Sequence, residues 1–198
     1  MSESEPIIHP GLAAIQTAFS RETDRAAAIV AAAMLDDGLA TLLGAFLVEP
    51  RKAGESIVDG EQAPLGTFSA RINAAHQMGL ISPYFARDLH LIRKIRNHFA
   101  HSADHLTFET PEVRDRVAEL EKPGFNRRFA QIRAGLGPPG PRGDFLGIVS
   151  WMIFSHQESA PKTKRQSPHV GEFGYFDVDS AIEIMTGTEP DPFGPSIA

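Results

Sequence analysis

Residues 82–102 read SPYFARDLHLIRKIRNHFAHS. Ser82 followed by Pro83 is a helix start: a hydroxyl that can cap, then a proline at the first helical position, where its missing N–H costs nothing. Phe85, Leu89, Ile92 and Phe99 then recur on one face, and the spacing predicts a helix from Pro83 to about His101. The rest of this helix is basic. Arg87, His90, Lys94, Asn97 and His101 advance by three and four residues and share a stripe, with Arg93 and Arg96 beside it and Asp88 as the single acid. An apolar face and a cationic face on one helix describe a bundle helix that also presents charge outward.

The segments on either side repeat the helical reading. Leu12, Ile15 and Phe19 are spaced for one face. Ser20 or Thr23 can restart a helix, and Ile29, Val30, Met34, Leu35, Leu39, Leu42, Leu43 and Phe46 follow at three- and four-residue intervals until Pro50 stops the element. Alanines throughout 26–45 favour helix and allow close helix–helix approach. After a glycine- and proline-rich loop, Thr67 or Ser69 opens a short helix carrying Phe68, Ile72, Ala75 and Met78, closed by Gly79. Thr110-Pro111-Glu112 is another start signal, with Val113, Val117 and Leu120 behind it. Pro123-Gly124 breaks that helix, and Phe125, Phe129 and Ile132 suggest one more. Asp144 is expected to cap a last apolar helix, Phe145 to about Phe154. No strand pattern and no internal repeat occurs. The expected fold is all-α, an antiparallel multi-helix bundle. It is divided into an N-terminal tail (1–10), a helical domain (11–158) and a flexible tail (159–198) with one short helix, Ala181–Met185, capped by Asp179.

Composition agrees. The chain has 198 residues, 42% hydrophobic and 22% charged, with no cysteine. A disulfide framework, a zinc–thiolate site and a thiol nucleophile are excluded, and no run of about 18–20 consecutive apolar residues marks a membrane span. The acidic N-terminus has no signal-peptide pattern, so a cytoplasmic protein with no membrane partner is expected. Net charge is −6 but unevenly spread: −6 over residues 1–61, +5 over 62–142 and −5 over 143–198. A basic centre between acidic ends suits an anion or nucleic acid, and equally a second copy of the same chain. A homodimer is the expectation, with the helix 83–101 or its neighbours in the contact.

Chemistry is densest in Arg96-Asn97-His98-Phe99-Ala100-His101. A guanidinium holds phosphate bidentately, a histidine exchanges protons near neutral pH, and Asn97 can orient either. The combination suits cleavage of RNA by its own 2′-hydroxyl, without metal. Five residues turn a helix by about 500°, so Arg96 and His101 stand roughly 140° apart, and two crossing copies of the helix would be needed to aim both at one atom. The bland reading is a solvated basic face. Arg93, Arg96, His101, Asp36 and Asp37 are the candidate binding residues, Asp36 or Asp37 being placed to pair with Arg93 or Arg96 across the bundle. His98, His101 and His105, with Glu109 or Asp104, have metal-like spacing, yet such a row closing a helix reads as structural. No metal or cofactor is expected. Gly135, Gly137 and Gly140 match G-x-G-x-x-G literally, but no strand precedes them and Pro138-Pro139 lack the N–H donors a phosphate needs. No nucleophile elbow supports a serine triad.

Several runs resemble the mannitol operon repressor family (MltR/MtlR): Glu22-Thr23-Asp24-Arg25-Ala26-Ala27-Ala28 with Leu35-Asp36-Asp37, Ala63-Pro64-Leu65-Gly66-Thr67-Phe68-Ser69-Ala70-Arg71-Ile72 with Met78-Gly79-Leu80-Ile81, and Asp88 to Asn97 with Phe99-Ala100-His101-Ser102. The resemblance covers about residues 19–120. It implies an all-helical fold and negative regulation of uptake and utilisation genes. The family lacks an obvious helix-turn-helix, so the role implied is that of a regulator or co-regulator working through a protein partner, a component of the transcription machinery or a DNA-binding regulator, or through RNA. The Arg-Asn…His ending is also similar to the HEPN superfamily of helical dimers. That likeness implies Arg96, Asn97 and His101 as the active site of a metal-independent ribonuclease of toxin or defence type, or else a non-catalytic RNA- or nucleotide-binding site. The regulator is the favoured reading, and the enzyme the alternative.

Overall fold

The computed structural model describes residues 9–52, 54–60, 62–102, 105–120 and 139–168. Among them are six α-helices and no strand: α1 (Pro10–Ser20), α2 (Asp24–Phe46), α3 (Phe68–Gln77), α4 (Pro83–His101), α5 (Pro111–Leu120) and α6 (Pro141–Ser159), followed by a 3₁₀ turn, Ala160–Lys162. The molecule is an all-α bundle. The helices expected over 125–132 and 181–185 lie outside the described residues.

The start signals act as their chemistry requires. The side chains of Thr23, Thr67 and Ser82 accept from the main-chain N–H of Ala26, Ala70 and Phe85, each at 3.2 Å. Gly79 ends α3 at φ +71°, donating to His76 O while Leu80 N donates to Ala75 O. This is a Schellman close, which a left-handed glycine makes at no steric cost. The last helix departs from expectation. It starts at Pro141, preceded by Gly140 at φ +117°, and runs to Ser159, so Asp144 sits inside its first turn and is not the cap. Proline at the first helical position pre-sets φ, which is why the helix begins inside what composition marks as a loop.

Helix α2 is central, packing on α3, α4 and α6. By length and composition it is apolar enough to cross a membrane; here Ala27, Ala28, Ala31, Leu35, Leu39 and Leu43 face the bundle interior. Its neighbours' directions follow from end-to-end contacts. Arg25, at the start of α2, reaches Ser102 O at the end of α4, so α2 and α4 are antiparallel. Arg142, at the start of α6, reaches Phe19 O and Glu22 O, while Arg165 beyond its end reaches Leu47 O, so α6 runs parallel to α2. Arg87 near the start of α4 donates to Glu119 O near the end of α5, making that pair antiparallel. Phe108, from the α4–α5 connection, sits between Phe99, which it meets edge-on, and Phe145, at centroid distances of 5.1 and 4.8 Å, and joins α4 to α6.

Three expected core residues lie outside, one of them Met78 at the end of α3, 38% exposed. Ile29 and Val30 are 37% and 42% exposed, because α2 is apolar on both faces and only one is covered. The helical unit also continues past residue 158: the 3₁₀ turn packs on α2, and the first compact unit of the chain ends at Arg165, the second beginning at Gln166.

Candidate functional site at the end of helix α4

The antiparallel pairing of α2 and α4 brings the last turn of α4, with its basic residues, beside the first turn of α2. The contact is built from backbone capping. The Arg25 guanidinium donates to Ser102 O at 2.6 Å, taking one of the carbonyls that α4 leaves unsatisfied at its end. Next to it, Asp24 accepts from the main-chain N–H of Phe108 at 2.9 Å and pairs with Arg142, whose other nitrogen donates to Phe19 O and Glu22 O at 3.2 and 2.6 Å. Asp24 and Arg142 therefore tie the α1–α2 corner, the α4–α5 connection and the start of α6 into one joint.

On that frame Arg96 is half-buried and donates to Asn97 Oδ1 at 2.9 Å, so these two side chains form a fixed pair. His101 is exposed at the end of the helix. Among the described residues no hydrogen bond or ion pair joins Arg96 to His101, as their angular separation on the helix anticipates. Arg93 is half-buried, with its Nε enclosed and without a hydrogen-bond partner. Lys94 is exposed. The stripe is less open towards its start: Arg87 spans the Asp88 carboxylate (2.8 Å) and Glu119 O, and the His90 ring lies 3.1 Å from Asn73 Oδ1 on α3. Burial pushes the His90 imidazole below its ordinary range, and the neighbouring Arg93 and Lys94 charges add to this. Burial raises the Asp88 carboxyl, against the opposing pull of Arg87.

The acidic candidates are placed elsewhere. Asp36 pairs with Arg71 at 2.7 Å and not with Arg93 or Arg96; Arg71 also donates to Val58 O at 3.0 Å. The reason is that α3, rather than α4, covers that flank of α2. Asp37 is exposed on the wall of a cleft between α2 and α6. Among the described residues no group of three or more His, Asp or Glu side chains is gathered to suit a metal ion.

Two structurally central residues were not singled out by sequence. Arg142 lies in a Pro/Gly-rich stretch with no periodic signal. His156 does carry one, continuing the spacing of Phe145, Val149, Met152 and Ile153 along α6, and it is buried.

No family model matches this chain, and no curated protein does. Among solved structures, the chain is similar to the X-ray structure of the MtlR-HPr complex from Escherichia coli, with a TM-score of 0.56 at 20% identity, over 75% of this chain and 99% of that one. The chain has an MtlR-like fold. At this identity the likeness concerns the backbone fold alone.

Proposed function

We propose that this protein is a negative transcriptional regulator or co-regulator of the mannitol repressor type, acting through a protein partner. The observation that carries this reading is the MtlR-like fold, matched over 99% of a chain solved in complex with HPr. An HPr-type protein is the proposed partner, with a cytoplasmic homodimer as the working form. The sequence runs in the α2, α3 and α4 segments that resemble the mannitol repressor family support the same assignment. The test is calorimetric titration of the full chain with HPr from the same organism, alongside a mannitol-operon reporter in cells with and without the gene. Saturable binding and derepression on deletion are the expected results. No binding and an unchanged reporter would overturn the reading.

A second reading rests on the basic last turns of α4, where Lys94 and His101 are exposed. Arg96, Asn97 and His101 would bind RNA phosphate and, in the enzymatic version, cleave it. Arg96 would supply charge and His101 a titratable proton. Incubating labelled RNA with the wild-type chain and with His101→Ala separates the versions. Cleavage lost in the variant supports the enzyme, retained binding without cleavage supports a binding module, and no RNA binding at all returns the site to the protein-partner reading.

A further inference from the structure

The two ends of α6 are held very differently. At its start, Arg142 pairs with Asp24 and donates to Phe19 O and Glu22 O, and the Phe145 ring lies 4.8 Å from that of Phe108. At its end the ties are few. Among the described residues, the one hydrogen bond from residues 155–165 to another part of the bundle runs from Arg165 to Leu47 O, at 2.9 Å. Lys162 and Thr163 bond back to Glu158 and Ser159 of their own segment. Two clefts undercut these last turns. One, of about 410 Å³, lies between them and α2, and the other, of about 270 Å³, lies towards Leu80 and the start of α4. Polar groups in this half of α6 are also poorly satisfied. Ser150 is fully buried with its Oγ unpaired, and His156 is 4% exposed with its Nε2 enclosed and unpaired. Native folds pair nearly all such atoms, so two orphans within two turns of one helix ask for an explanation.

The surroundings of the His156 ring suit its neutral form. Gly38 of α2 lies so close that a Cβ there would stand 3.2–3.4 Å from Cβ, Cδ2 and Cγ of the histidine. Phe85 of α4 meets the ring edge-on, with centroids 5.2 Å apart. The charged groups of the neighbouring elements are placed elsewhere. Asp36 on α2 is turned to Arg71, Arg87 and Asp88 on α4 bond to each other, and Glu158 on α6 pairs with Lys162. From the α1 side, His9 stacks on Phe154. Asp37 is the one charged residue on the walls of the two clefts, and no hydrogen bond joins it to the imidazole. Burial accordingly brings the His156 pKa down to about 4. A second proton on this ring has no acceptor while the helix stays seated, and an unpaired buried charge is costly. The end of α6 is the least anchored of the elements around the ring, so it is the part that yields.

We propose that the last turns of α6 and the 3₁₀ turn form a flap held shut by the neutral His156 ring, and that protonation of His156 in acid swings the flap open, baring Met34, Leu42 and Phe85. The device is separate from the basic end of α4 and stands whether or not the chain is a mannitol-type regulator.

The test is hydrogen exchange on the full chain from pH 7 to 4, corrected for the intrinsic exchange rate. Amides of residues 155–162 should exchange faster than those of Leu89–Phe99 at every pH. Below pH 6.5 they should lose protection by up to about tenfold per pH unit, the dependence set by one proton taken up on opening. Trp151, the single tryptophan and a wall of the smaller cleft, should change its fluorescence over the same range while far-UV circular dichroism stays close to its neutral-pH value. His156→Phe and His156→Gln should both remove the pH dependence, and circular dichroism at pH 7 shows which of them keeps the fold. Protection at 155–162 equal to that of α4 would mean that the helix opens only with the whole bundle. That result, protection independent of pH in the wild type, or a slope that survives in a folded variant would overturn the proposal.

Discussion

Among the described residues, His156 is the one whose ionisation matters most to the fold. Burial brings its pKa down from the usual 6.5 to about 4. The unfolded chain therefore binds a proton between these values that the native chain refuses. The stability tied to this group is complete above about pH 6.5 and is lost as pH falls towards 4, by about 3 kcal/mol in all. His90, also lowered, acts in the same direction, while the raised carboxyl of Asp88 works oppositely, its contribution fading as pH rises above its unfolded value. The expected outcome is a melting temperature that drops between pH 6.5 and 4 in the wild type and drops much less in His156→Phe. Arg96 tells a different story. Among the described residues it bonds only to its neighbour Asn97 and has no acidic partner on α2, so Arg96→Ala should change stability by about 0.5 kcal/mol or less. A pairing with Asp36 or Asp37 would have made the loss about 3–5 kcal/mol. Urea unfolding of this variant distinguishes the two arrangements.

At the scale of elements, α2 and α6 run parallel at close approach over Gly38. An alanine there gains helix propensity, about 1 kcal/mol, but needs its His156 neighbour to give by a few tenths of an ångström. Gly38→Ala should therefore be nearly neutral, while Gly38→Leu should force the helices apart and cost about 1–3 kcal/mol. The joint between Asp24 and Arg142 makes the complementary case. Its side chains are 23% and 27% exposed, so its strength is below that of a fully enclosed pair. Asp24→Ala also strips the acceptor from Phe108 N–H and should cost about 2 kcal/mol, against a smaller loss for Asp24→Asn, which keeps an acceptor. Guanidinium unfolding of both variants, compared with wild type, measures the difference.

For the whole molecule, the boundary of the helical unit sets where the chain can be cut. The sequence places the tail from residue 159 onward, by its prolines, glycines and sparse apolar periodicity. The packed unit ends instead at Arg165, held by its bond to Leu47 O, with Lys162 paired to Glu158 at 3.1 Å. A chain ending at Arg165 should melt within a few degrees of full length by scanning calorimetry, whereas one ending at Ala160 should melt lower. The uneven charge and the uncovered apolar side of α2, with Ile29 and Val30, fit the homodimer expected from sequence. Light scattering at micromolar concentration should give twice the chain mass, and a monomer alone would remove the dimer from the account.

Local structure was legible in the sequence, because caps, prolines and helical spacing act within a few residues: Ser82-Pro83 and Thr23 start the helices they signal, and Gly79 stops one. The sequence also determined that the cations gather on α4. It could not determine which face of α2 is covered, since Ile29 and Val30 carry the same periodicity as Leu35 and Leu39. Nor could it say that Asp36 meets Arg71, that Arg142 meets Asp24 across 118 residues, or that His156 stands unpaired beside a cleft. Those facts depend on which helices become neighbours and in which direction. That choice is made by burying the summed apolar surface of the whole chain, a quantity no single segment contains.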